Sequence, residues 1–285
     1  MPDRHAPQQS QHTHVLISCP DRRGVIANVT TAIANAGGNV LDADQHADPN
    51  TGRFSMRLVF EGDVDRPQLE QALSKLQLTH TIRWPGPHPK VTILCSKQTH
   101  CLADLLWRAS INELPTQITR VISNHPDAQQ LTESFGYTYT HLPISKDTKQ
   151  QQEEQLAALL ESDQTDLIIL ARYMQILSPT LIDQYPGRII NIHHSFLPAF
   201  AGAKPYHRAF ERGVKIIGAT AHYATADLDE GPIVAQGTTH VTHRDTVDDM
   251  IRKGRDLERV TLANAVRMHL ENRVIIDNQR TIVFE

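Results

Sequence analysis

The sequence predicts an α/β protein in two parts, a small β-α-β-β-α-β unit followed by an open, mostly parallel α/β sheet. Three observations carry that expectation. The run Trp84-Pro85-Gly86-Pro87-His88-Pro89 can continue neither a helix nor a central strand, so it divides the chain. Before it, apolar residues switch between strand and helix spacing in the order β-α-β-β-α-β, a ferredoxin-like arrangement. After it, unbroken apolar runs such as Leu167-Ile168-Ile169-Leu170 read as parallel strands buried on both faces. The expected divisions are a disordered or tag-like tail over 1–13, a first domain over 14–84, a linker over 85–89 and a second domain over 90–285.

Each element has its own signal. His14 to Cys19 reads as a strand and Asp21-Arg22-Arg23-Gly24 as a turn. Val25, Ile26, Val29, Ile33 and Ala36 then recur at helical spacing, and Gly37-Gly38 supplies the C-terminal stop. Val40 to Ala47 and Phe54 to Glu61 are strands joined by a turn at Asp48 to Gly52. Leu69, Ala72, Leu73 and Leu76 mark a second helix, and Thr79 to Trp84 a last strand. In the second part Val91 to Cys95, Ile118 to Ser123, Leu167 to Leu170 and Arg188 to Ile192 are strands. Between them lie a helix carrying Leu102, Leu105, Leu106 and Trp107, a short helix after Pro126, and a polar helix over Thr148 to Glu161. In such sheets the site lies beyond the C-terminal strand ends, which directs attention to the residues after Leu170, Ile192 and His222.

Composition limits the function classes. The 285 residues are 40% hydrophobic and 21% charged, with 28 Lys+Arg against 32 Asp+Glu and a formal charge of -4. That balance gives no general attraction to nucleic acid or anionic membrane. No run approaches the ~18 apolar residues of a membrane span, and Met1 to His14 has no apolar signal-peptide core. Cys19, Cys95 and Cys101 are the only cysteines, an odd number without a CxxC pair, which fits a reducing cytoplasm. Sixteen histidines invite a metal reading. However, His193 and His194 are adjacent and diverge on a strand, and His240-Val241-Thr242-His243 lacks a partner at ligand spacing, so no metal is expected.

Three segments carry chemistry. Asn191-Ile192-His193-His194-Ser195 leaves a buried strand with Asn191 and His193 on one side, so a carboxamide and an imidazole can donate together to a developing oxyanion. The bland alternative is a turn cap and a satisfied buried histidine. Asp227-Leu228-Asp229-Glu230-Gly231-Pro232 follows His222 and offers a carboxylate on a tight loop, a general base or an ordinary turn. Met174-Gln175-Ile176-Leu177 follows a strand end and is either a binding segment or the start of a core helix.

Together these segments resemble the formyltransferase family that uses 10-formyltetrahydrofolate, over roughly residues 90–270. Asn191, His193 and Asp229 match that family's Asn–His–Asp set in identity and order, and Met174, Gln175, Ile176 and Leu177 match the segment lining its pterin pocket. Phe196 to His207 looks most like the deformylase branch, in which water accepts the formyl group. Cys19-Pro20-Asp21-Arg22-Arg23-Gly24-Val25-Ile26 resembles the strand–loop–helix signature of ACT domains, with Arg23 where that family often has proline.

The resemblance implies hydrolysis of 10-formyltetrahydrofolate to tetrahydrofolate and formate, with formate supplied to purine synthesis and the one-carbon pool balanced. It implies a folate substrate and no metal or organic cofactor. Ser195, His222 and Asp227 are expected to join the substrate-binding residues, with Ser195 holding its loop or bonding His193 and His222 holding the Asp229 loop. Asp21, Gly24 and Val25 are expected to bind a small amino-acid effector, and the chain to be a homo-oligomer paired partly through residues 14–83. A formyltransferase acting on an amine and a non-catalytic folate or amino-acid sensor are the alternatives.

Overall fold

The structure, a computed structural model, describes residues 9–145, 147–198 and 205–285, and its contacts divide the chain into two compact units. The first holds β1 (Gln9–Ser10), β2 (Thr13–Pro20), α1 (Val25–Asn35), β3 (Asn39–Asp48), β4 (Arg53–Glu61), α2 (Arg66–Lys75), β5 (Thr79–Arg83) and β6 (Gly86–Pro87). Its four-stranded antiparallel sheet runs β3-β4-β2-β5, the ferredoxin-like order. Val25, Val29 and Ile33 of α1 meet Val15, Ile17, Met56, Leu58 and Phe60 from the sheet in one core. Ile26 departs from that face and is 41% exposed, because it lies about 100° round the helix from Val25. Gly37, at φ 91, stops the helix as expected, and the Gly38 amide returns to the Ile33 carbonyl at 2.9 Å.

The second unit contains β7 (Lys90–Cys95), α3 (His100–Ser110), β8 (Gln117–Ser123), α4 (Gln129–Ser134), β9 (Tyr139–His141), α5 (Lys149–Ser162), β10 (Leu167–Ala171), α6 (Pro179–Gln184), β11 (Ile189–His193), α7 (Pro205–Arg212), β12 (Ile216–Tyr223), β13 (Ile233–His240) and α8 (Val247–Leu270). Its seven-stranded sheet runs β13-β12-β11-β10-β7-β8-β9. The strands from β11 to β9 pair in parallel, while β12 and β13 run antiparallel to their neighbours. Every residue of β10 is buried, as its apolar run predicts, and Ile168 packs with Leu94, Ile122, Leu156, Leu160 and Ile189. Trp107 of α3, grouped above with the core-facing leucines, is half exposed.

Three boundaries differ from expectation. The tail ends earlier than residue 13: Gln9 and Ser10 pair with Pro87 and Gly86, while residues 1–8 lie outside the described residues. The same pairing makes part of the 85–89 linker a strand, and Pro87 is tolerated because a two-stranded ribbon leaves each strand an edge where no N–H is needed. The chain also does not stay in the second unit to residue 285. Glu271–Asp277 and Ile282–Glu285 belong with the first, where Asp277 pairs with Arg53 at 3.2 Å and the Asn272 carbonyl accepts from Arg57 at 3.1 Å. Such returns are long-range choices that local pattern does not carry.

Candidate active site

The pleat of β11 sets the first two functional side chains. Residues two apart share a face, so Asn191 and His193 lie together. Asn191 pairs in register with His222 across β12, and its amide nitrogen is 3.1 Å from His222 Nε2. His222 Nδ1 lies 2.9 Å from the Tyr223 carbonyl, which can only accept. The proton is therefore on Nδ1, and Nε2 accepts from Asn191. Burial lowers the His222 pKa and keeps this ring neutral. With one amide N–H given to His222, Asn191 keeps a second N–H to donate.

Asp229 reaches this pair from the loop between β12 and β13. A Cβ on Gly231 would lie 1.8 Å from the Tyr223 carbonyl oxygen, so only glycine lets the chain return this closely. Asp229 takes φ 60, a left-handed conformation that aspartate tolerates better than most residues. Its Oδ1 is 3.1 Å from His193 Nδ1 and 3.8 Å from His222 Nε2. The hydrogen bond from His193 holds the Asp229 carboxyl below its ordinary pKa against the opposing effect of burial. His193 is 6% exposed, and its Nε2 is buried without a hydrogen-bond partner among the described residues. A ring fixed on one side by a carboxylate and unsatisfied on the other is set to meet a ligand.

The strand end is held by β12 and β13. Thr220 Oγ1 donates to the Ser195 carbonyl at 2.9 Å and accepts from the Leu197 amide at 3.0 Å, while Gln236 donates to the Leu197 carbonyl at 3.1 Å. Ser195 therefore holds the loop through its backbone. Its hydroxyl is buried without a partner among the described residues, so the expected bond to His193 is not formed. Residues Ala199 to Lys204, part of the segment that pointed to the deformylase branch, lie outside the described residues.

A cavity of about 650 Å³ joins the site to the segment after β10. Met174, Gln175, Ile176 and Leu177 line it together with Asn191, His193, His222 and Asp229. Met174 and Ile176 are 58% and 57% exposed, so this segment presents an apolar surface instead of starting a core helix. Its backbone is pinned by the Met174 amide, which donates to Ser96 Oγ at 3.0 Å. Asp227 departs from expectation: it is exposed, its carbonyl accepts from Thr225 Oγ1, and the cavity is lined by Thr225, Ala226, Leu228 and Asp229 instead. In the first unit, Gly24 has φ 86 and precedes α1, and the Asp21 amide bonds the Gly52 carbonyl at 2.7 Å. The Val25 side chain is buried in the core, which leaves only its backbone for a ligand.

Sequence reading missed a second polar cluster in this cavity. Glu258 on α8 is 1% exposed. Its carboxylate accepts from His100 Nε2 and from the Tyr206 hydroxyl, each at 2.8 Å, and lies 3.4 Å from Arg172 Nε. The signal was present in outline. Met250, Gly254, Glu258 and Leu262 recur every four residues on the buried side of α8, and a glutamate in that register needs a partner. His100, Cys101 and Glu258 also bring donor atoms within 4.8 Å of one another, but the cationic partner beside Glu258 is Arg172.

Fold and site together define a folate-dependent formyl-transfer class, and comparison with known proteins agrees. Residues 89–266 match the Formyl transferase family and residues 13–77 the ACT domain family. A formyltetrahydrofolate deformylase from Synechocystis sp. is 51% identical over 277 residues, covering 95% of this chain and 97% of that protein. The crystal structure of a formyltetrahydrofolate deformylase from Pseudomonas syringae superimposes with a TM-score of 0.93 at 39% identity, covering 99% of this chain and 96% of that one. A glycinamide ribonucleotide transformylase from Symbiobacterium toebii covers 71% of this chain and 98% of its own, with a TM-score of 0.66 at 30% identity. The chain belongs to the formyltetrahydrofolate deformylase family.

Proposed function

We propose that Asn191, His193 and Asp229 carry out the family's reaction, in which 10-formyltetrahydrofolate and water give tetrahydrofolate and formate. The supporting observation is the buried Nε2 of His193, without a partner among the described residues, beside Asn191 and with Asp229 fixed behind the ring. Water attacks the formyl carbon, and the carbonyl electron pair moves onto oxygen to give a tetrahedral oxyanion. The second Asn191 N–H and an Nε2–H of His193 donate to that oxygen as its charge develops. Asp229 takes the proton of the attacking water, directly or through a second water. Collapse of the oxyanion breaks the bond from carbon to the folate nitrogen, and the proton passes to that nitrogen as it leaves. His222, neutral and bonded to Asn191, is a positioning residue. The apolar segment Met174 to Leu177 receives the pterin face. Formate released from 10-formyltetrahydrofolate without any amine tests the assignment, and formate release that depends on an added amine would overturn it.

The small-molecule side of the first unit is proposed on narrower grounds. Backbone N–H groups at Gly24 and Val25, beside Asp21, suit the carboxylate of a small amino acid, and the ACT match supports such a regulatory role. We further infer a homo-oligomer paired through this unit, and cytoplasmic work that supplies formate for purine synthesis. Three buried free cysteines accord with a reducing compartment. Light scattering and a screen of the twenty common amino acids against formate release test the first two points.

A further inference from the structure

A hydrolase must admit water to the formyl carbon and refuse amines. Yet the second unit shares its fold with a transformylase named for an amine substrate. Backbone architecture therefore cannot make the distinction, and side chains must. Resting on the hydrolase reading, we propose that Arg172, Glu258, His100 and Tyr206 form an acceptor-excluding wall, a specificity-determining cluster that fills the room an amine would need beside Asn191 and His193.

The wall is contiguous with the catalytic histidine. The His194 ring stacks on His193 at 5.0 Å and lies 6.4 Å from the Tyr206 ring, whose hydroxyl donates to Glu258. Arg172, Tyr206 and Glu258 are each at most 9% exposed although they line the cavity, so they fill space instead of waving in it. The cluster is also bonded within itself. Glu258 Oε1 takes the Tyr206 hydroxyl, Oε2 takes His100 and faces Arg172, and Arg172 Nε donates to Gln98 Oε1 at 3.2 Å. Both oxygens of that carboxylate are thus engaged inside the cluster, and Arg172 faces it.

Two costs are borne to keep the wall in place. Arg172 holds φ 61, a left-handed backbone conformation that arginine rarely adopts. Gly254 interrupts the interior of α8 because a Cβ there would lie 2.0 Å from the Tyr206 hydroxyl oxygen. The segment from Ser96 to Leu102, which follows β7 and opens α3, takes part through Gln98 and His100 and has no glycine with which to open a cradle of backbone amides.

The experiment compares product partition in the wild type, Arg172→Gly and the Arg172→Gly/Tyr206→Ala double variant. Each is given 10-formyltetrahydrofolate and excess glycinamide, and formate and N-formylglycinamide are measured together. The wild type should release formate only. The double variant should raise the amide-to-formate ratio by on the order of tenfold or more, the usual scale for removing a steric discriminator. Tyr206→Phe keeps the ring and should stay with formate. A double variant with a native circular dichroism spectrum that releases formate but no amide at saturating glycinamide would overturn the wall. If the double variant does not fold, Arg172→Gly is read by the same ratio, since glycine accepts that backbone readily, and absence of amide there overturns it too. Wild-type protein that formylates glycinamide as well as the variants would also overturn it. Wild-type protein that needs the amine to turn over at all would sink the hydrolase reading itself, before any variant is compared.

Discussion

Two histidine–carboxylate pairs lie at or beside the cavity, and they are finished differently. His193 and Asp229 meet at 3.1 Å, and the far nitrogen of His193 has no partner among the described residues. His100 and Glu258 meet at 2.8 Å, and the carboxylate is further bonded by Tyr206 and faced by Arg172. Both carboxyls lie below their ordinary pKa. For Asp229 the His193 hydrogen bond is the main cause. For Glu258 burial pushes upward most strongly, and the bond from His100 with the charge of Arg172 overbalances it. An ion pair left open at one atom holds a binding capacity for substrate. One whose carboxylate is engaged on both oxygens has spent that capacity on rigidity and shape.

Removing one member from each pair should separate these roles. Asp229→Asn, His193→Ala and Asn191→Ala should each lower kcat by about 10²–10³ or more with little change in the unfolding midpoint, because a transition-state donor or base is lost from an otherwise packed site. Near wild-type turnover in Asp229→Asn with unchanged circular dichroism would mean the base lies elsewhere. Glu258→Ala should do the opposite, costing about 3–5 kcal/mol in urea unfolding because buried Arg172 loses its counter-charge and His100 and Tyr206 lose their acceptor. If its stability were untouched and only kcat fell, the contrast between the pairs would collapse.

The slot beside both pairs gives a smaller effect. Ile176→Asp places a charge against the apolar ring surface and should raise KM about tenfold or more at similar kcat, a cost of ~1–2 kcal/mol. An unchanged KM would move the pterin away from Met174 to Leu177. The smallest expected effect is a slope with pH. Burial, helped by Arg172 and His193, lowers the His194 pKa from 6.5 to about 4, and burial likewise takes His14 to about 4. The unfolded chain then binds protons that the folded chain refuses, so stability should be flat above pH 6.5 and fall as the pH drops toward 4. Asp229, with its lowered pKa, adds its own loss only further down, where its carboxyl is protonated. His194→Gln should flatten part of the slope in urea midpoints taken from pH 7 to 4.5, and an unaltered slope would show that His194 is not so buried in solution.

Much of the site could be read from residue order because it is local. Asn191 and His193 are two apart on one strand, Met174 to Leu177 follow an apolar run, and Asp229 sits ahead of Gly231-Pro232. Those spacings survive into the fold because the pleat and the tight loop are themselves local. The Glu258 cluster draws on the start of α3, a strand end, α7 and α8, with up to 158 residues between partners, and nothing local ties those positions together. Asp227, and the bond expected from Ser195 to His193, departed from expectation for a related reason. Proximity along the chain suggested roles that side-chain direction denied. Arg172 was hidden because its left-handed backbone is imposed by its surroundings, not by its own preference.

The near collision between position 254 and the Tyr206 hydroxyl has a consequence for how this sequence can change over time. Any side chain at 254 demands that residue 206 shrink first, since the added Cβ would sit 2.0 Å from that oxygen. Shrinking 206 alone opens a gap beside Glu258 that nothing fills. The two positions are thus locked by mutational order. A lineage can leave this pair only through an intermediate worse than either end, so glycine and tyrosine should be inherited together or lost together.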